Sequence, residues 1–289
     1  MTDFDNRWDF FLGDFEGCWL QGGISFWTQK LSEVEKLKKD LQEQNCDQKA
    51  NQAWYIETII RIHILFLKAW DHNNAQEFTA AWVEYEQAEL ACYRLKANIL
   101  IEEIDWVANE LLRRVKNWQS LYPYGVFASP EFLVEELTCS ICEQKRSPWK
   151  FCGHETGLVY KGELCSNIVS KMKILGISLV TDPVQKYSVI QPSLEDEGVN
   201  GFQRRHAIII HAMKIIPEPF CYFRTEFKKV RWPHSKFPDL EDHDLCPCKS
   251  SRSYRNCCKN EKGVLRPHVD ILVNSTEAST NIAKIIYPR

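Results

Sequence analysis

From Thr28 onward, apolar residues recur at helical spacing. Leu31, Val34, Leu37 and Leu41 form one narrow stripe among Lys and Glu residues, ending near Asn45. A second run, Tyr55, Ile59, Ile62 and Phe66 with Ile56, Ile60 and Leu67 beside it, gives a wider buried face and stops near Asp71-His72-Asn73-Asn74. The third stretch, Gln76 to Tyr122, is unbroken. Within it Phe78, Trp82 and Tyr85, and then Ile104, Ala108, Leu111, Val115 and Trp118, follow the seam spacing of packed antiparallel helices. This pattern fits either one very long helix or two helices meeting near Asn98. His63 falls on the apolar side of the second run and reads as a hydrogen-bonded core histidine.

The breakers agree with that periodicity. No Pro precedes Pro123, and no Gly lies between Gly23 and Gly125. Residues 28–122 are therefore expected to form an antiparallel helical bundle, preceded by an aromatic N-terminal arm over residues 1–27 (Trp8, Phe10, Phe11, Phe15, Trp19, Phe26, Trp27). After Pro123 the texture changes to short β-rich pieces: 157–160, 176–180 and 186–190. Residues 193–200 read as an exposed acidic loop. Phe202 to Ile216 reads as a helix ending before Pro217, and Val269 to Val273 as a strand.

With 44% apolar and 12% aromatic residues, the chain can bury a sizeable core, which excludes disorder and a disulfide-stapled miniprotein. The start, MTDFDNRWDFF, has no basic segment followed by an apolar run. The best membrane candidate, Ile59 to Trp70, is interrupted by Arg61, His63 and Lys68. A soluble cytoplasmic protein with no membrane partner is expected, in a compartment where paired cysteines serve as metal ligands or redox groups more often than as disulfides.

Eight of the twelve cysteines fall in two groups. The first reads Cys139-x2-Cys142-x9-Cys152-Gly-His154-x10-Cys165. A Cys-x2-Cys turn places two thiolates on one side of a knuckle, where both reach a tetrahedral zinc at about 2.3 Å. Cys139, Cys142 and Cys152 are the firm candidates. The fourth ligand is Cys165, or His154 as the alternative. Glu155 and Glu163 flank this cluster and read as solvated charges. The second group, Cys246-Pro-Cys248-x8-Cys257-Cys258, packs four thiols into thirteen residues. Their mutual repulsion calls for a cation, and a disulfide between adjacent Cys257 and Cys258 would be strained. Two structural zinc ions per chain are expected.

The second group, with Tyr254 three residues before the closing pair and Pro233-His234-Ser-Lys-Phe237 as lead-in, resembles the SEC-C motif, the zinc-binding tail best known from the bacterial preprotein translocase ATPase SecA. The resemblance spans residues 233–260. It implies that Cys246, Cys248, Cys257 and Cys258 all ligate metal, and that the module contacts a protein partner or the ribosome. One departure stands out: the family usually has Gly-Ser-Gly after the second cysteine, whereas this chain has Lys249-Ser-Ser251. The segment Cys152 to Cys165, with Pro183 to Ser188, also resembles a stretch of uncharacterised bacterial proteins that end in SEC-C motifs.

Charge adds an alternative. Arg204 to Arg266 holds fourteen Lys or Arg against seven Asp or Glu, in a chain whose net charge is −3. Arg224, Lys228, Lys229 and Arg231 alternate there with aromatic residues, a texture suited to nucleic acid. The plain counterpart is an amphipathic strand or helix whose basic face is solvated. The chain has no P-loop, Gly-x-Gly-x-x-Gly, Gly-x-Ser-x-Gly or His-Glu-x-x-His, and Cys18, Cys46, Cys92 and Cys221 sit singly, as buried thiols do.

The expected fold is α+β: an N-terminal antiparallel helical bundle, then a mixed α/β region with two small zinc modules. The expected divisions are 1–27, 28–122, 123–240, 241–262 (the SEC-C-like module) and 263–289. The expected function is a non-enzymatic zinc-binding adaptor. A nucleic-acid-binding subunit of a larger bacterial assembly, such as a defence system, is the alternative, and a metal-dependent enzyme ranks third.

Overall fold

The first helix begins four residues ahead of Thr28, because Trp27 joins the core. In the computed structural model, which describes residues 22–147, 149–274 and 280–285, α1 spans Ile24–Glu43, α2 Asp47–Asn74, α3 Phe78–Ala97 and α4 Asp105–Gln119. The arm expected over residues 1–27 lies outside the described residues as far as residue 21. Trp27 is buried and stacks on His63 at 4.5 Å between ring centroids. His63 is fully buried, with Nδ1 2.9 Å from the Ile59 carbonyl oxygen, as a core histidine should be.

The chain reverses twice without Gly or Pro. Asn45 and Gln76 adopt φ of 56° and 60°, and each closes its helix in a Schellman motif. Cys46 N donates to Leu41 O at 3.0 Å, and Glu77 N donates to His72 O at 2.8 Å. The long third stretch resolves into two helices, with a break at residues 98–104. Each helix packs on the next, and the seam residues Tyr55, Ile59, Phe66, Phe78, Tyr85, Leu111, Val115 and Trp118 are buried. Tyr122 Oη donates to Asn73 Oδ1 at 2.7 Å inside this core.

Beyond the bundle, β1 (Phe127–Cys139) pairs antiparallel with β5 (Asn167–Val180), β2 (Lys145–Arg146) adds to the end of β1, and β3 (Val159–Tyr160) pairs with β4 (Glu163–Leu164). The piece expected at 186–190 forms only a bridge, Phe127 to Val189. It is held to α3 instead. Trp82 Nε1 donates to Lys186 O at 2.6 Å, Lys186 N donates to Glu86 Oε1 at 2.8 Å, and Lys186 Nζ meets Glu89 Oε2 at 2.5 Å. Glu86 and Glu89 are both buried. Burial pushes the Glu86 carboxyl up, whereas at Glu89 the same burial is outweighed by the Lys186 ammonium and the carboxyl is held below its ordinary range.

The chain divides into two compact units between Ser193 and Leu194. In the second, α5 (Leu194–Arg205) and α6 (Ala207–Ile215) precede a sheet of β6 (Phe223–Trp232), β7 (Val264–Asn274) and β8 (Thr280–Ile285) in that order, all antiparallel. Residues 194–200, expected as a loop, belong to α5, which is interrupted at Gly198 with φ 65°. The expected single helix from Phe202 is likewise divided, at His206. The fold is α+β with an N-terminal helical bundle, and among the described residues no helix is long and apolar enough to cross a membrane.

Removing the partner of a buried charge leaves that charge uncompensated. Lys186→Met should lower the stability of the first unit by about 3 kcal/mol, measured by urea unfolding followed by far-ultraviolet circular dichroism.

Candidate metal centres

The first centre is assembled at the end of the β1–β5 ribbon. Cys139 closes β1, and the chain turns immediately: Glu143 N donates to Cys139 O at 2.9 Å, Cys139 N donates to Gln144 O at 3.0 Å, and Glu143 takes φ 58°. This knuckle carries Cys142. Cys152 and His154 follow on a loop around Gly153, whose φ is 83°. The β3–β4 hairpin has the two-residue turn Lys161-Gly162, both with positive φ (52° and 75°), which is the type I′ arrangement. It delivers Cys165 to the base of β5.

Contacts from the bundle fix this hairpin. Asn98 Nδ2 donates to Gly157 O at 2.7 Å, and Asn98 Oδ1 accepts from Val159 N at 3.0 Å. Gly162 N donates to Asn51 Oδ1 at 2.7 Å, and a β-carbon at Gly162 would lie 3.0 Å from the Ala50 carbonyl oxygen. Glu163 is not free beside the centre. It accepts from Gln42 at 3.0 Å and pairs with Lys38 at 3.3 Å.

The ligand atoms of Cys139, Cys142, Cys152 and His154 all lie within 4.8 Å of one another. Cys165 Sγ stands 3.8 Å from Cys139 Sγ, outside that mutually close quartet. Cys139 Sγ is also 3.8 Å from His154 Nδ1. A residue not singled out in the sequence joins them. Arg146 NH2 approaches Cys139, Cys152 and Cys165 Sγ at 3.2, 3.4 and 3.3 Å and donates to His154 O at 2.5 Å, while NH1 donates to Thr156 and Asn167 at 2.7 Å each. The backbone N–H of His154 and the Arg146 guanidinium bring the Cys152 thiol down to about 6. Burial pushes Cys165 up.

The second centre is inserted between β6 and β7, where Trp232 pairs with Val264. Cys246, Cys248, Cys257 and Cys258 offer four sulfurs within 4.8 Å of one another. Cys248 to Cys257 is 3.4 Å, and Cys257 to Cys258 is 3.8 Å. Cys246 and Cys258 are buried with Tyr254 and Val264, against Phe237, Leu240 and Leu265. The lead-in residues are part of this small core: Tyr254 Oη donates to His234 Nδ1 at 2.6 Å, and His234 Nε2 donates to Glu261 O at 2.8 Å. Gly263 is required where the insert rejoins β7. Its φ is 148°, and a β-carbon would lie 2.3 Å from the Trp232 carbonyl oxygen.

Burial opposes ionisation at both thiols of the Cys-x-Cys pair. At Cys246 it prevails and pushes the thiol up to about 12, while at Cys248 the Ser250 hydroxyl and the neighbouring thiols outweigh it and bring the thiol down to about 6.

Sulfur atoms at the corners of a tetrahedron around an ion at about 2.3 Å stand about 3.8 Å apart. In the second centre the separations of 3.4 and 3.8 Å lie close to that requirement, and in the first all four ligand atoms lie within 4.8 Å of one another. Both donor sets therefore fit zinc, whose soft thiolate and imidazole ligands they supply. Among the described residues these two groups are the clusters able to hold a metal. Cys92 is buried and pushed up to about 12 by desolvation, whereas Cys46 and Cys221, expected to be buried, are half-exposed; Cys18 lies outside the described residues.

The four basic candidates for nucleic acid lie on β6, where alternation divides them. Arg224 and Lys228 share one face with Glu226, while Lys229 and Arg231 share the other. Arg224 pairs with Glu226 at 3.3 Å, Lys228 with Asp270, and Arg231 with Glu261 at 3.0 Å. The sequence texture does not become a single basic patch.

The fold and the two centres define an α+β protein with two four-donor clusters compatible with zinc. Comparison of the chain with protein-family models, with curated proteins and with solved structures returns no match.

Lys249 and Ser251 both adopt φ 60°. For a residue with a side chain, this left-handed backbone costs about 1 kcal/mol or more. The double change Lys249→Gly and Ser251→Gly should strengthen metal retention by the second centre several-fold, read by competition with a chromogenic chelator.

Proposed function

We propose that the chain is a non-enzymatic, cytosolic, zinc-binding adaptor. Two structural zinc ions fix its recognition surfaces, and its partner is a protein or the ribosome. The observation that carries this reading is the convergence of two separate sets of four donors, each within 4.8 Å. A centre closed by four protein ligands has no position for an activated water, which makes it a structural device.

In this reading Cys139, Cys142, Cys152 and His154 hold the first ion. Arg146 compensates the thiolate charge, and Cys165 is the guanidinium's remaining sulfur partner. Cys246, Cys248, Cys257 and Cys258 hold the second. The left-handed turn at Lys249 and Ser251 supports the SEC-C resemblance, since those are the two positions where the family usually has glycine. The Tyr254–His234 hydrogen bond ties the lead-in into the same module.

Elemental analysis of protein purified without chelator should find two zinc ions per chain. Cys257→Ser should reduce this to one and leave the helical signal intact, whereas Cys142→Ser should remove the other ion. Fewer than two ions in the unaltered protein, or two in either variant, removes the basis of the proposal. Salt-sensitive retention of nucleic acid that disappears when Arg224, Lys228, Lys229 and Arg231 are replaced together would put the nucleic-acid reading in its place.

A further inference from the structure

Among the described residues the β1–β5 ribbon has an exposed apolar face, and register shows how it is composed. Pro130, Phe132, Val134 and Leu137 lie opposite Ile177, Ile174, Met172 and Val169, and the pair Ala128–Leu179 extends the row. Directly opposed residues share a face, and the bulges between these pairs restore the same side each time. The other face carries Ser129 opposite Ser178, Leu133 opposite Lys173 and Glu136 opposite Lys171, with Glu135 paired to Lys171 at 2.8 Å and to Lys173 at 2.7 Å. The ribbon is therefore amphipathic. Yet Phe132, Val134, Val169, Met172, Ile174, Ile177 and Leu179 are 41 to 71% exposed.

Two features bear on what covers this face. A two-stranded ribbon is marginal in water without packing on one side. The row has no charged side chain, so nothing in it selects a charged partner. At roughly 100 Å² of exposed surface each, the seven side chains offer about 700 Å² per copy and about 1,400 Å² in a pair, within the range of specific protein interfaces and above the largest apolar patch on a typical monomer.

We infer that the apolar face of this ribbon is the interface with a second copy of the chain. The two ribbons pack face to face about a two-fold axis as a four-stranded sandwich. The inference is independent of metal identity and extends the adaptor reading to a symmetric pair.

Sedimentation equilibrium of the full chain, with metal content measured on the same samples, tests it. The unaltered protein should be a dimer. The double substitution Ile174→Lys and Ile177→Lys should weaken association by about a hundredfold, as expected for charges placed in the centre of an apolar interface. Ser178→Lys, on the opposite face of the same strand, should remain dimeric. A monomeric unaltered protein overturns the inference, including the case in which the ribbon takes a different protein as partner. So does a dimer that survives the double substitution with its metal content unchanged. Unchanged metal content in the lysine variant also separates a lost interface from a misfolded ribbon.

Discussion

Three or four cysteine thiols gathered within 4.8 Å cannot all ionise against one another, and burying them makes ionisation harder still. This constraint shapes both β regions. The segments between Cys139 and Cys165 and between Trp232 and Val264 are short turns and two-residue strands with little apolar area of their own. What draws each together is the demand of its sulfurs for positive charge. At the first centre the protein supplies part of that charge itself, through Arg146, whose guanidinium reaches three sulfurs while its other nitrogen is held by Thr156 and Asn167. At the second, the sulfurs rely on a hydroxyl, Ser250, and on Arg252 at 3.6 Å from Cys257. The two centres therefore differ in how far protein charge offsets their thiolates.

The helical bundle contributes the frame for the first centre. Helix α3 grips the following segments at two distant points, with Trp82, Glu86 and Glu89 holding the backbone and ammonium of Lys186, and Asn98 clamping the loop that leads to β3. A lone break in the helix pattern thus has a structural use. Asn98 ends α3 because its side chain bonds the carbonyl of Arg94 one turn back, and the same amide also reaches Gly157. The polar side chains that interrupt this helix face are the docking points of the β region.

Helical periodicity was legible because the seam residues of α2, α3 and α4 face one common core, and the cysteine spacing was legible because knuckles are local. The β1–β5 ribbon was legible only at its end, residues 176–180. Its three register shifts place Leu175, Glu135 and Ser170 out of step, so the alternation that marks a strand is lost in SPEFLVEEL and NIVSKMKILGI. Arg146 was equally hidden, since an arginine two residues beyond a knuckle carries no signal until folding brings Cys152 and Cys165 to it. The basic texture of β6 is divided in the fold: alternation sends neighbours in sequence to opposite faces, and Asp270 and Glu261, distant in sequence, pair with Lys228 and Arg231.

Backbone strain follows the same division. Among the described residues six non-glycine residues have positive φ. Two of them, Asn45 and Gln76, close helices through Schellman bonds. The other four, Glu143, Lys161, Lys249 and Ser251, lie in the turns that bring sulfurs together. At about 1 kcal/mol or more each, such strain is too large for turns with so little packing to hold unaided. A structural zinc ion contributes on the order of 10 kcal/mol or more in small peptides, several times the strain of the two residues beside Cys248. Side chains can then occupy positions where glycine would be easier. With an ion held there, ligation rather than turn propensity would close the loop and offset the cost of Lys249 and Ser251.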